Sequence, residues 1–282
     1  MATIRLGLIG DNIERSQSPR LHVLAGRLCG LDVRYDPLIP ADMGLDFDAA
    51  FALCRDGGFR GINITYPYKE TVFARLDVAD ATVRALGACN TVLFGTGAPF
   101  GANTDYSGFK TAFAETFGGA APGVVAMAGA GGVGKAIGFA LAELGASEIR
   151  VFDREAARSA ALRKTLSGTA SLKVHVAEAI EEAAEGADGL VNCTPLGMTG
   201  YPGTAIPRHV LAGRSWAFDA VYTPVETEFL RDAQGAGLAT MSGYELFFYQ
   251  GVDAFRIFTG LDVNQQALRR RLSEPDDMER AV

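Results

Sequence analysis

The residues best suited to chemistry in this chain are one glycine run and a scattered set of small polar side chains. Gly129-Ala130-Gly131-Gly132-Val133-Gly134 has the spacing G-x-G-x-x-G, directly after the apolar run Val124 to Ala128 and before the helical run Lys135 to Leu144. In that setting the first glycine permits a tight turn and the second lets backbone N–H groups approach a pyrophosphate. The third allows close helix–strand packing, with the helix N-terminus facing the negative charge. Asp153 lies 24 positions after Gly129, where an acid accepts hydrogen bonds from an adenosine ribose. A carboxylate there repels a 2′-phosphate, so NAD is expected over NADP, with Arg154 as the neighbour able to turn toward a phosphate. The bland alternatives are a glycine-rich turn and, for Asp153, a helix cap.

The polar set lies nearer the N-terminus. Ser16-Gln-Ser18-Pro19 puts two hydroxyls just before a helix expected from Pro19. In Gly61-Ile-Asn63-Ile-Thr65-Tyr-Pro-Tyr-Lys69-Glu70 the strand period of two puts Asn63 and Thr65 on one face. Lys69 then falls in the first turn of a helix, where the macrodipole disfavours a cation. Gly87-Ala-Cys-Asn90-Thr91 and Gly101-Ala-Asn103-Thr104-Asp105 complete the set. Singly, such serines and asparagines are caps and turn formers. Together they make a lining for a ligand with several hydroxyls and a carboxylate, the amides serving the alcohols and the serines the carboxylate.

These residues need elements to hold them. Ile4 to Ile9, Val33 to Ile39, Gly61 to Thr65 and Asn90 to Phe94 read as short strands. Between them Pro19 to Cys29, Gly44 to Arg55, Tyr68 to Leu76 and Ala79 to Leu86 have helical apolar spacing. A second series of strands is expected at Val124 to Ala128, Glu148 to Phe152, Lys173 to Val176, Gly189 to Asn192, Ser215 to Asp219 and Leu238 to Thr240. Alternation throughout is the pattern of an α/β architecture on parallel sheets, and the second series has the rhythm of a doubly wound, Rossmann-type nucleotide-binding sheet. The turn Gly118-Gly119-Ala-Ala-Pro122-Gly123 enters that second sheet. The closing helical stretches Tyr244 to Gly260 and Asn264 to Leu272 follow the last strand, and the tail 274–282 is expected to fray.

Composition narrows the classes. The 282 residues suggest two domains or one large one, and 48% hydrophobic with 21% charged residues is ordinary for a globular protein. A net charge of −7 lacks the basic footprint of a nucleic-acid binder. No apolar run reaches the length of a membrane span, and the N-terminus reads as a strand without a signal-peptide core, so a cytoplasmic protein is expected. Cys29, Cys54, Cys89 and Cys193 are widely spaced, with no CxxC pair and no histidine at ligand spacing. Reduced thiols and no metal site follow as the expectation.

Seven motifs in order, SQSP with His22, GINITYPYKE, GACNT, GANTDYSG, GAGGVG, NCTPLGM and DAVYTPVETEFL, resemble the successive signatures of the shikimate dehydrogenase family, including its quinate/shikimate branch. The resemblance covers nearly the whole chain. It implies a substrate-binding and catalytic domain over 1–107, joined by 241–273, and an NAD-binding Rossmann domain over 108–240. It implies Lys69 and Asp105 as the catalytic pair, Ser16 and Ser18 as carboxylate binders, and Asn63, Thr65, Asn90, Asp105 and Gln250 as hydroxyl binders, with Tyr222 near the carboxylate. Thr194, Pro195, Gly197 and Met198 resemble the loop beneath the cofactor, with Met198 near the nicotinamide or, alternatively, filling core. Gly243 opens the segment similar to the family's returning helix.

Two departures from the family pattern stand out. The usual glycine, proline and histidine before the first serine are replaced by Gly10-Asp-Asn-Ile-Glu-Arg15, which puts the carboxylate end of the pocket in doubt. The Asn-Arg-Thr common in NADP-using members is replaced by Phe152-Asp153-Arg154, which favours NAD and the quinate/shikimate branch. The resemblance thus implies interconversion of shikimate and 3-dehydroshikimate, as in the shikimate pathway of aromatic amino acid biosynthesis, with oxidation of quinate as a second or main activity. Dehydrogenation of another cyclic hydroxy acid and a non-catalytic NAD-binding regulator are the competing readings. Monomer and homodimer are both open.

Overall fold

The computed structural model describes residues 3–168 and 172–275. Its contacts divide the chain into two compact units, Met1–Thr104 with Gly251–Val282, and Asp105–Gln250. The divisions at 104/105 and 250/251 fall inside two long helices, later than 241 and earlier than 107, the positions expected from sequence. Of the tail expected at 274–282, residues 276–282 lie outside the described residues.

The first unit contains β1 (Ile4–Ile9), α1 (Ser18–Leu28), β2 (Val33–Leu38), α2 (Phe47–Asp56), β3 (Gly61–Ile64), α3 (Lys69–Phe73), α4 (Ala81–Leu86), β4 (Thr91–Leu93) and β5 (Phe100–Ala102). The sheet order is β2-β1-β3-β4-β5. Pro37 sits in β2, where the missing N–H is tolerated because β2 is an edge. The first three strands are parallel, but β4 runs antiparallel to β3 and β5 antiparallel to β4, so this sheet is mixed where a parallel one was expected. The reversal matters for position. It pairs Asn63 with Thr91 and Thr91 with Ala102, so the end of β3, the start of β4 and the end of β5 meet at one edge of the sheet.

Helix α2 shows how local sequence sets an element. Asp46 caps it by accepting from the Ala49 N–H at 2.8 Å, and Phe47, Ala50, Phe51 and Cys54 form the buried stripe at i, i+3, i+4, i+7. The core on the other side gathers Leu6, Leu8, Ile13, Val33 and Tyr35 with Ala254 and Phe258. A Cβ on Gly61 would stand 2.5 Å from the Phe258 ring, so glycine there lets the last turn of the closing helix lie on β3.

The second unit holds β6 (Val124–Ala128), α6 (Gly132–Glu143), β7 (Glu148–Phe152), α7 (Ala156–Leu166), β8 (Lys173–Val176), α8 (Ile180–Ala184), β9 (Gly189–Asn192), β10 (Trp216–Asp219), α9 (Glu228–Gly235) and β11 (Ala239–Met241). Its six strands run parallel in the order β11-β10-β9-β6-β7-β8, the doubly wound order with a switch point between β6 and β9. The two dividing helices are α5 (Thr104–Phe117) and α10 (Gly243–Thr259), and α11 (Gln265–Ser273) follows. Trp216 donates from Nε1 to Pro122 O at 3.1 Å and meets Phe113 edge-on at 5.0 Å, which ties α5 to β10. Among the described residues no helix is long and apolar enough to cross a membrane.

Candidate active site

In the first unit the chemistry gathers where β1 and β3 end and β4 begins. Thr65 follows β3, with its N–H donating to Ile9 O at 2.9 Å. Lys69 is the first residue of α3, four positions on, and its carbonyl accepts from Cys89 N–H at 3.0 Å, which draws the 87–91 loop beside it. Lys69 is half-buried.

Asn90 is buried and uses its Oδ1 inward, accepting from the Thr104 N–H at 2.7 Å, the Thr104 hydroxyl at 3.1 Å and the Thr91 hydroxyl at 3.0 Å. Its Nδ2 is left as a donor with no protein acceptor among the described residues. By fixing Thr104, Asn90 also fixes where α5 starts, and hence Asp105, the next residue and a buried acid in the first turn of that helix.

Asn63 is buried with its amide committed on every side. Nδ2 donates to Asn90 O at 3.2 Å and to Thr91 Oγ1 at 3.1 Å, while Oδ1 accepts from the Tyr35 hydroxyl at 2.9 Å. These bonds also make Asn63 a support for Asn90, Thr91 and Tyr35. Ser16 Oγ accepts from Ser18 N–H at 3.3 Å, and the helix α1 begins at Ser18 with no side-chain cap. In the departing segment, Asp11 accepts from the Tyr68 hydroxyl at 3.2 Å and donates its N–H to Tyr66 O at 2.9 Å. Asp11 thus braces the residue preceding Lys69. Tyr35, Asp11 and Tyr68 are site-shaping residues whose roles sequence reading does not find, because each acts across 28 or more positions of chain.

His22 has 1% of its surface exposed and stacks on the Tyr35 ring at 4.9 Å. Burial pushes its pKa down to about 3, against a smaller opposing effect of the Asn63 bond, so the ring is neutral. Its Nδ1 has no partner among the described residues.

In the second unit the glycine run closes on the switch point. Gly129 has φ +96°, and a Cβ there would stand 2.8 Å from the Cys193 backbone. A Cβ on Gly134 would stand 2.3 Å from Gly129 O, so α6 could not approach β6 as closely. At Gly131 a Cβ would meet nothing within 4 Å, and the first turn of α6 carries no acid. Gly129, Ala130, Gly131, Gly132, Val133 and Gly134 thus form a turn with an open approach to a helix N-terminus, which fits a dinucleotide pyrophosphate. Asp153 ends the β7 side of this turn, accepting from Ala130 N–H at 2.7 Å and Glu155 N–H at 2.9 Å, and Arg154 beside it is exposed.

Thr194 N–H and hydroxyl donate to Asn192 Oδ1 at 2.9 and 2.8 Å, setting the loop that continues through Pro195 and Gly197 to Met198. Met198 is half-buried and not part of the core. Asn192 in turn donates to Asp219 at 2.9 Å, a buried acid pushed up to about 6 by desolvation. Gly243 opens α10 where a Cβ would stand 2.4 Å from Ala220 O, and four residues on Phe247 stacks on Tyr222 at 5.2 Å. Gln250 donates to Phe247 O at 2.9 Å. Cys54 and Cys89 are buried and Cys29 and Cys193 half-buried. No group of three metal-ligating side chains occurs among the described residues.

Residues 8–92 match the model of the shikimate dehydrogenase substrate binding domain. The chain is 38% identical over 274 residues to the NAD(+) quinate/shikimate dehydrogenase of Corynebacterium efficiens, covering 95% of this chain and 96% of that one. It is 37% identical over 275 residues to the NADP(+) shikimate dehydrogenase of Pseudarthrobacter chlorophenolicus, covering 95% and 94%. Among solved structures, the quinate dehydrogenase from Corynebacterium glutamicum in complex with NAD superposes with a TM-score of 0.89 at 37% identity, covering 96% of this chain and 98% of the other.

Proposed function

The chain belongs to the shikimate dehydrogenase family, and from that premise we propose that it is a nicotinamide-dependent dehydrogenase of cyclic polyhydroxy acids. It interconverts shikimate and 3-dehydroshikimate and also oxidises quinate to 3-dehydroquinate, with NAD preferred over NADP. The observation that carries the reading is the convergence of Thr65, Lys69 and Asn90 at one sheet edge, in the segment that matches the substrate-binding family model.

Oxidising a secondary alcohol requires that its hydroxyl proton leave as hydride departs from carbon, so a base must stand within about 3 Å of that oxygen. Asp105 accepts from the substrate hydroxyl, and in the reducing direction Lys69 donates to the carbonyl oxygen. Asn63, Asn90 Nδ2 and the Thr65 hydroxyl hold the remaining alcohols, and Ser16 and Ser18 serve the end that bears the carboxylate. The dinucleotide, held by residues 129–134 with Asp153 on its ribose and Thr194, Pro195, Met198 and Gly243 along its nicotinamide half, supplies the hydride acceptor. Asp153 supports the NAD preference, since a 2′-phosphate would meet its carboxylate.

The test is turnover of shikimate and of quinate by the whole chain, with the dehydrogenated product identified by mass. A product two hydrogens lighter than either acid is expected. A chain that binds the dinucleotide but oxidises neither acid is a regulator or acts on another acid.

A further inference from the structure

We propose that Asp219 is a positioning residue for the dinucleotide, locking the Asn192 amide and through it the loop from Thr194 to Met198. This rests on the reading that the second unit binds a nicotinamide dinucleotide along that loop.

The lock follows from the hydrogens. Asn192 ends β9 in register with Asp219 at the end of β10, on the strand that flanks the switch point. Leu196 O is a backbone carbonyl and can only accept, so the Asn192 atom 3.2 Å from it is the NH2 nitrogen. That nitrogen gives its second hydrogen to Asp219 Oδ1 at 2.9 Å. The amide oxygen therefore faces the other way, where the Thr194 N–H and hydroxyl both donate to it at 2.9 and 2.8 Å. Thr194 Oγ1 in turn accepts the Leu196 N–H at 3.2 Å. The side-chain hydrogens of this knot are all spent, and its one acceptor outside the loop is Asp219.

The loop has few other restraints. Residues 193–198 belong to no helix or strand, and Pro195 has no N–H to fix it. Cys193 donates its N–H to Ala128 O at 2.7 Å, and a Cβ on Gly129 would stand 2.8 Å from the Cys193 backbone, so the loop leaves directly from the glycine turn. A tilt of the Asn192 amide would be felt there.

Asp219 itself has no exposed surface, and no cation pairs with it among the described residues. Burying an unpaired carboxylate costs stability, so a neutral side chain would be the cheaper one to place there. Its two oxygens divide the remaining bonds. Oδ1 also takes the Val221 N–H at 3.0 Å, while Oδ2 takes the Thr227 hydroxyl at 2.5 Å. Thr227 caps α9, accepting the Leu230 N–H at 3.3 Å, and this side faces away from the loop's amide.

That division makes the proposal testable by NAD titration and thermal melts of the whole chain. Asp219→Ala should weaken NAD binding about tenfold, the worth of one buried hydrogen bond to a charged group. Asp219→Asn keeps an oxygen for Asn192 and turns an NH2 toward the Thr227 hydroxyl, so its affinity should stay within about threefold of wild type. Thr227→Val removes only the bond on Oδ2 and should lower the melting temperature while leaving NAD affinity unchanged. Should Asp219→Ala not fold, Asn192→Ala cuts the same link from the loop side and should show the tenfold loss in its place. A folded alanine variant that binds NAD like wild type overturns the proposal, as does Asp219→Asn binding as weakly as alanine, or Thr227→Val losing affinity by the same factor. Wild-type protein that binds no dinucleotide would instead overturn the underlying reading.

Discussion

Asp153 Oδ2 accepts the Ala130 N–H at 2.7 Å, which ties the end of β7 to the glycine-rich turn after β6. Its Oδ1 accepts the Glu155 N–H at 2.9 Å. One carboxylate thus orders the glycine-rich turn, and since a carboxylate has about four acceptor sites these two bonds leave capacity for the ribose assigned to it above.

Replacing it removes both effects. Asp153→Ala should weaken NAD binding by about ten- to a hundredfold, the cost of losing hydrogen bonds to a charged group. NADP binding should fall less, so that the preference narrows or reverses with Arg154 nearby. Titration of each dinucleotide by fluorescence measures this, and a variant that loses both equally would show that Asp153 only holds the turn.

Lys69→Ala should lower turnover by about 10²- to 10⁴-fold, the usual contribution of a positioned proton donor. NAD affinity should stay within twofold, because the dinucleotide is assigned to the second unit. Stopped turnover with lost NAD binding would point instead to a folding defect, and a loss under tenfold would remove Lys69 from the chemistry.

Gly134→Ala puts a methyl 2.3 Å from Gly129 O, a backbone atom that cannot swing away. Separating α6 from β6 should cost roughly 1–3 kcal/mol of stability, as overpacking does, and should weaken dinucleotide binding as well. Gly131→Ala meets nothing within 4 Å in the protein itself. That variant should melt near the wild-type temperature yet bind NAD poorly, so the pair of melts and titrations separates packing from ligand approach.

His22 makes stability depend on pH. Its pKa is pushed from 6.5 down to about 3 by burial, so between those values the unfolded chain binds a proton that the folded one refuses. Stability from this group is fully present above pH 6.5 and falls as pH drops toward 3, by an amount on the order of several kcal/mol. His22→Phe should therefore flatten the denaturant midpoint against pH across that window. An equally steep profile in the variant would place the acid sensitivity elsewhere.

Much of this was legible in the sequence. Val124–Ala128, Glu148–Phe152, Lys173–Val176 and Gly189–Asn192 stand at their expected bounds, the first and last because buried parallel strands are short apolar runs, the middle two because their apolar residues alternate with a period of two. The glycine turn and Asp153 were readable for the same local reason. β5 (Phe100–Ala102) was not: three residues including a glycine at a sheet edge carry too little pattern, and without it the antiparallel pairing of β4 goes unseen. The support beneath the pocket was also hidden. Tyr35 reads as an ordinary strand aromatic and His22 as part of a helix, and only the register that brings β2, β1 and β3 side by side shows Tyr35 reaching Asn63 with His22 stacked on it.

The central claim is tested most directly by initial rates with shikimate and with quinate, each paired with NAD and with NADP, in one panel followed by dinucleotide absorbance. The account predicts turnover of both acids, faster with NAD. No dinucleotide reduction by either acid with either cofactor would contradict it.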